Sequence, residues 1–241
     1  MNLLILKEDE LVAKNIYKIQ NRKKNHLIDI KKVYVGYTLP AGRLNLDIGE
    51  FTIIEITKEF IMGEYLFKII VPKKNQIIEL FISYQRPQTM KKIFQLIGTL
   101  QIQKVNIFPL SKSEKSYEKS SLWKEDSWKE ELDLGMEQGK NIYSPEIHFF
   151  NNKMELSDLI MVNKCILLDP NGCSMRNAFS NFNEKNQVQL IIGPEGGLTE
   201  RDIDYFINLG AIKTKISDSI LRTEQALSFV IGQIELIKEY V

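Results

Sequence analysis

Val188-Gln189-Leu190-Ile191-Ile192-Gly193-Pro194-Glu195-Gly196-Gly197-Leu198-Thr199-Glu200-Arg201-Asp202 is the stretch on which the reading of this chain turns. Its apolar opening predicts a strand from Val188 to Ile192, and Thr199 followed three residues later by Asp202 predicts a capped helix start. Between them, three glycines and a proline in five residues make a tight turn whose backbone can approach a ligand without Cβ atoms in the way. The turn would lie at the positive end of a helix, a place suited to a small ligand. A strand, a Gly-rich turn and a helix also describe plain connections. Two phosphate-binding patterns are excluded, because no Lys-Ser/Thr follows the glycines and the spacing is not G-x-G-x-x-G.

A second strand-to-helix junction lies downstream. The predicted strand Ile212 to Ile216 leads into Ser217-Asp218-Ser219-Ile220-Leu221-Arg222-Thr223-Glu224-Gln225-Ala226, which opens a final helix from Thr223 to Tyr240. The pair, strand-G-P-E-G-G-helix followed by strand-x-x-x-I-L-R-x-E-x-A-helix, resembles the ribosomal RNA small subunit methyltransferase E family of the SPOUT superfamily. Upstream stretches agree with that resemblance: Gln85-Arg86-Pro87, Glu114-Lys115-Ser116-Tyr117, Leu134-Gly135-Met136-Glu137-Gln138 with Pro145-Glu146, and His26-Leu27 with Gly42-Arg43-Leu44. Similarity therefore covers nearly the whole chain, and its C-terminal pair is the specific part.

The resemblance implies an α/β-knot fold, a mostly parallel sheet whose last strands thread a deep trefoil knot, preceded by a small PUA-like β-barrel that binds RNA. It implies S-adenosylmethionine as cofactor, N3 of a uridine in 16S ribosomal RNA of the small subunit as methyl acceptor, and a homodimer. Residues matching the family's cofactor turns are Ile192, Gly193, Pro194, Gly196, Gly197, Ser217, Ile220 and Leu221. Leu168 and Asp169, where a third predicted strand ends, join them at the carboxyl ends of strands, where open α/β sheets bind ligands. The chain departs from the pattern at Ser217-Asp218, where relatives carry Leu-Gly, at Gln225, where Thr is common, and at Asn2-Leu3-Leu4 in place of an Arg-rich opening.

Uridine N3 bears a proton and is a poor nucleophile until it leaves, so the chemistry asks for a group that accepts it or stabilises the anion. Arg222 is the candidate stabiliser and Glu195 the candidate acceptor. Arg222 paired structurally with Glu195 or Glu224, and Glu195 capping backbone amides, are the competing readings.

The net charge is only +1, but it is unevenly spread. Residues 1–70 carry 11 Lys and Arg against 9 Asp and Glu, residues 71–125 carry 10 against 4, and residues 126–241 carry 11 against 18. Arg22, Lys23, Lys24, Lys31, Lys32, Arg43 and Arg86 are the residues expected to meet a phosphate backbone. Any one Lys pair could equally be a solvated face.

Two rhythms divide the chain at residue 71. From Val33 to Val71, short apolar runs broken by glycines predict a small antiparallel barrel, with Tyr65, Phe67, Ile69 and Val71 on one apolar strand face. Residues 72–241 alternate predicted strands (Ile77 to Ile82, Val105 to Phe108, Ile147 to Phe150, Cys165 to Leu168) with helices (Pro87 to Leu100, Lys124 to Met136). Trp123 and Trp128 read as packing anchors, and Leu110 to Ser121 as a mobile loop. Leu227, Val230, Ile231, Ile234 and Ile237 make a core-facing stripe on the last helix. Cys165 and Cys173 have no metal-ligand spacing and read as reduced thiols; no metal is expected. No apolar run is long enough to span a bilayer, and a cytoplasmic location is expected. A ribose 2′-O methyltransferase and a non-catalytic RNA-binding factor are the alternative functions.

Overall fold

The computed structural model describes residues 1–73, 78–123, 127–160, 165–180 and 187–240. Two six-stranded sheets make the molecule. The first contains β1 (Leu4–Leu6), β2 (Leu11–Ala13), β3 (Ile16–Ile19), β4 (Thr38–Arg43), β5 (Asp47–Ile56) and β6 (Ile61–Ile69), in the order β1-β4-β5-β6-β3-β2. Helix α1 (Asn21–Asp29) lies between β3 and β4 in the chain. All pairings are antiparallel except β1 with β4. Tyr17, Ile19, Phe51, Ile53, Ile61 and Tyr65 form its core with Leu27 of α1.

That sheet corrects one expectation. Alternation on β6 holds through Tyr65, which is buried, but Phe67 and Ile69 are exposed, so the strand outruns the layer that covers it. Residues 74–77 lie outside the described residues, and Val71 is half-buried.

The second sheet is all parallel, in the order β12-β10-β11-β7-β8-β9. Its strands are β7 (Ile78–Ser83), β8 (Lys104–Phe108), β9 (Glu146–Phe149), β10 (Cys165–Ser174), β11 (Val188–Ile192) and β12 (Ile212–Lys215). The helices are α2 (Pro87–Thr99), α3 (Lys115–Glu118), α4 (Ser127–Gly139), α5 (Met175–Phe179), α6 (Glu200–Asn208) and α7 (Thr223–Tyr240). Every residue of β7 and β11 is buried, as expected of central parallel strands covered on both faces.

Alternation of side chains sorts the core into two layers. Leu80 and Ile82 meet α2, α4 and α7 on one face, where Leu227, Val230, Ile231 and Ile234 supply the expected stripe. Phe81, Leu167 and Ile191 meet Phe206 of α6 on the other. Trp123 and Trp128 pack on Phe94 at ring separations of 5.9 and 5.3 Å and are anchors, as read. Helices α2 and α4 approach so closely that a Cβ on Gly135 would stand 2.0 Å from the Gln95 carbonyl oxygen.

Two further expectations change. Strand β10 does not end at Leu168: its register on β12 shifts between Leu168 and Cys173, and Asp169 Oδ1 accepts the Asn171 amide at 2.8 Å across the irregularity. Leu110 to Ser121 includes α3 and is pinned by Ser113 to Ser83 (2.6 Å) and by Ser111 to Asp202 (3.0 Å), which accounts for its order despite its polar composition. Of the predicted helix Lys124 to Met136, residues 124–126 lie outside the described residues; Ile77 of the first predicted strand does also.

The two sheets meet along one seam. Ile5 of β1 sits in the core beneath the second sheet. The Glu137 carbonyl at the end of α4 accepts the amides of Asn2 and Leu3, both at 3.1 Å. Lys7 pairs with Asp133 at 2.5 Å, and Asn45 accepts and donates backbone-directed bonds with Ser144 and Ile142.

Candidate active site

The bend in β10 and the carboxyl ends of β11 and β12 open on a cavity of about 650 Å³, a volume typical of small-molecule sites. Leu168, Asp169, Ile192, Gly193, Pro194, Glu195, Gly197, Ser217, Ile220, Leu221 and Arg222 line it, so the two turns and the β10 bend singled out from sequence do converge. Gly196 is outside the lining and faces Lys112, whose Cβ would lie 3.4 Å from a Cβ there.

The first turn is firmly built. Gly197 donates to the Pro194 carbonyl at 2.8 Å and has φ +75°, a left-handed conformation in which glycine is favoured. Thr199 and Asp202 form the expected capping box at the start of α6. Asp202 is fully buried, which alone would raise its carboxyl pKa. Hydrogen bonds from Lys153, Thr199 and Ser111 outweigh burial and hold it below the usual carboxylate range.

Gln85 does what no sequence pattern disclosed. Its buried amide donates to the carbonyls of Ser83 (2.8 Å) and Gly193 (2.9 Å) and accepts from the Thr223 hydroxyl (3.0 Å). One side chain thus ties the first turn to the start of α7. The only hint was its place just after a strand and before the Arg86-Pro87 helix start.

Glu195 is doubly engaged. Thr89 donates to one carboxylate oxygen at 2.7 Å and Arg86 pairs with the other at 3.0 Å. Arg86 also donates to the Tyr117 hydroxyl at 3.2 Å, linking α3 to the cavity rim. Each carboxylate oxygen thus has one partner and keeps a second lone pair.

Arg222 resolves the other open question. Glu195 pairs with Arg86 and Glu224 with Lys92 (3.2 Å), while the exposed Arg222 guanidinium has no hydrogen bond or ion pair among the described residues. Burial would raise the Glu224 carboxyl, but its backbone amide, Lys92 and the field of Arg222 hold it below the usual range. The Arg222 backbone amide is fixed by the Gln225 side chain at 3.1 Å, a contact the departure from Thr to Gln makes possible. Asp218 pairs with Lys215 at 2.7 Å, which lowers its carboxyl pKa.

Several basic residues expected on the RNA face have other work. Arg22 forms a two-pronged pair with Glu137 at 2.9 and 3.0 Å across the seam. Lys23 is 7% exposed and donates to the Ile5 carbonyl (2.7 Å) and Glu10 (2.8 Å). Arg43 grips Asp47, from Nε at 2.9 Å, and lies over the Tyr65 ring. These three hold the fold, since their cations are spent on buried partners. Lys24 donates to the Lys58 carbonyl. Lys31 and Lys32 remain exposed and, among the described residues, unpaired. No group of three His, Cys, Asp or Glu able to hold a metal ion occurs among the described residues, and none of their helices is long and apolar enough to cross a membrane.

A family model of the RNA methyltransferase domain matches residues 72–235, and the chain belongs to that family. It is similar to ribosomal RNA small subunit methyltransferase E 1 of Borreliella burgdorferi, with 27% identity over 94% of each chain. Ribosomal RNA small subunit methyltransferase E of Helicobacter pylori is 26% identical, over 91% of this chain and 94% of the relative. Among solved structures, a ribosomal RNA small subunit methyltransferase E from Neisseria gonorrhoeae bound to S-adenosyl methionine superposes with a TM-score of 0.74 at 16% identity, covering 98% of both chains. A Legionella pneumophila protein in complex with the bound cofactor SAM gives 0.80 at 15%, covering 98% of this chain and 97% of the other. The α/β fold with its parallel sheet is theirs.

Proposed function

We propose that this RNA methyltransferase uses S-adenosylmethionine to methylate N3 of a uridine in 16S ribosomal RNA of the small subunit. The observation that carries the reading is the unpaired Arg222 guanidinium at the rim of a cavity built from the two family-specific turns. The open backbone at Gly197 and the apolar walls Leu168, Ile192 and Leu221 suit a cofactor with an adenine ring and few charges. That cofactor, when bound, supplies a methyl group already activated on a sulfonium.

The protein's own task is at the acceptor. Arg222 would hydrogen-bond a uracil carbonyl beside N3 and stabilise the anion left when the proton departs. Glu195, held by Arg86 and Thr89, positions the turn and is the candidate acceptor of the N3 proton. Because N3 lies on the pairing edge, the uridine must be accessible or extruded from its helix.

In this reading residues 1–71 form the RNA-binding unit and residues 72–241 the catalytic one, with Lys31, Lys32 and Arg86 as candidate phosphate contacts. The knotted C-terminal end, a cytoplasmic location and a homodimer belong to the same proposal. Exposed Phe229 and Leu236 on the outer side of α7 support a second copy packing there; light scattering at micromolar concentration tests it, and a monomer would remove it.

Incubating small-subunit RNA with the protein and isotopically labelled S-adenosylmethionine, then analysing nucleosides by mass spectrometry, tests the reaction. Label in 3-methyluridine is the expected result. Label on a ribose oxygen, or none, would overturn it.

A further inference from the structure

We propose that the turn Tyr34–Tyr37 is a stacking platform for an unpaired nucleotide of the RNA substrate, with Lys31 and Lys32 holding the adjoining phosphates. The inference rests on the RNA-modifying reading above and locates where the first sheet would grip its substrate.

Tyr34 is 64% exposed, and Val35 beside it is similarly open. An exposed aromatic ring beside an apolar neighbour offers a face on which a base can stack. Its backbone is not a loose tip. The Tyr37 amide donates to the Tyr34 carbonyl at 2.9 Å, closing a four-residue turn with Gly36 at φ +92° in its third position. Gly36 donates to the Ile53 carbonyl at 2.7 Å, Ile53 donates to Tyr37 at 3.0 Å, and Val33 donates to Leu27 at 3.2 Å. The turn is therefore fastened to β5 on one side and α1 on the other.

The two tyrosines divide the work. Tyr37 packs against the buried core of the first sheet, and its ring meets Tyr34 edge-on at 5.5 Å and 83°. Tyr37 anchors and Tyr34 is displayed. A ring held ready on a fixed backbone loses little freedom when a base stacks on it.

Charge points to the same place. Arg22, Lys23 and Arg43 are consumed by ion pairs, whereas Lys31 and Lys32, three and two residues from Tyr34, are exposed and unpaired among the described residues. Asp29 is the single carboxylate in residues 26–37. An exposed aromatic next to free lysines is the arrangement that binds single-stranded nucleic acid, with the base on the ring and the backbone on the cations. An enzyme acting on a pairing edge needs such a grip on unpaired RNA.

The test uses the full-length protein and a fluorescently labelled single-stranded oligoribonucleotide, read by anisotropy. Tyr34→Ala should weaken binding about tenfold, the scale of one lost stacked base, with an unchanged melting temperature. Tyr34→Trp should restore binding, and the oligonucleotide should quench the introduced indole. Replacing both Lys31 and Lys32 by Ala should reduce the slope of log affinity against log salt by about 1.4. Unchanged affinity in Tyr34→Ala, or an indole that RNA does not quench but a ribosomal protein fraction does, would overturn the proposal. Methylation by the unaltered protein separates the two ideas. If it methylates RNA and Tyr34→Ala binds and methylates equally well, the platform fails while the function stands; if it does not methylate yet RNA binding depends on Tyr34, the reverse holds.

Discussion

The turn at residues 193–197 is gripped by side chains from several elements, whereas the turn at 217–222 is held mainly from within, its start anchored by the Gln233 side chain on the Ile216 carbonyl at 2.9 Å. Gln85 from the end of β7, Thr89 and Arg86 from the start of α2, and the capping box of α6 all grip the first. The second has the Lys215 to Asp218 pair, a Ser219 amide on the Ser217 hydroxyl and the Gln225 contact to Arg222, and leaves Ile220 91% exposed. One half of the cavity is preformed and the other is open to remodelling by what binds. The cofactor would be seated on the first, and the second would close over it as the substrate arrives, a division that lets a site bind early and react late.

Arg222 is where that division should break most visibly. Arg222→Ala is expected to lower single-turnover methyl transfer by about 10²- to 10³-fold while cofactor affinity, measured by calorimetry, changes by less than about threefold; equal loss of both would erase the distinction between the halves. Gln85→Ala should act oppositely, on the preformed half. It strands the Gly193 carbonyl and the Thr223 hydroxyl, so a loss of about 2 kcal/mol of stability is expected, seen as a melting temperature about 4–8 °C lower, with weaker cofactor binding.

Acid should also weaken the preformed half. The Asp202 carboxyl pKa is held below its unfolded value, so its contribution is present above about pH 4 and is lost as pH falls through the lower folded value. Asp202→Asn should flatten the acid limb of a melting-temperature profile between about pH 2 and pH 5. The smallest effect belongs to the open half. Ile220→Ala should leave the melting temperature within about 1 °C, since an exposed side chain contributes little, but weaken cofactor binding by up to about tenfold if binding buries it.

How much of this was legible depended on the range of the interaction. Strand β11, helix α7 and the Thr199 capping box follow from periodicity and caps, both local, and they appear where the spacing placed them. The fates of the cations do not. Arg22 is spoken for by Glu137, 115 positions away, which no window of sequence contains, and Lys23 by a carbonyl of β1, a partner that no periodicity marks. Gln85 is similar, because its three partners lie at 83, 193 and 223. β10 misled for a different reason: Pro170 and Gly172 signal an end, yet the strand resumes after a bulge, with Gly172 so close to β12 that a Cβ would lie 2.3 Å from the Thr214 nitrogen. Phe67 and Ile69 kept their alternation after the covering layer had ended, which a pattern cannot report.

Glu137 carries a consequence for synthesis. A chain leaves the ribosome from its first residue onward, but the amides of Asn2 and Leu3 and the guanidinium of Arg22 all wait for a residue that emerges more than a hundred positions later. The first sheet can pair its strands while still tethered, yet its leading edge stays unseated, with Ile5 lacking its burial site, until α4 is made. An RNA modifier assembled in this order would not present its two halves in working alignment before most of the chain exists.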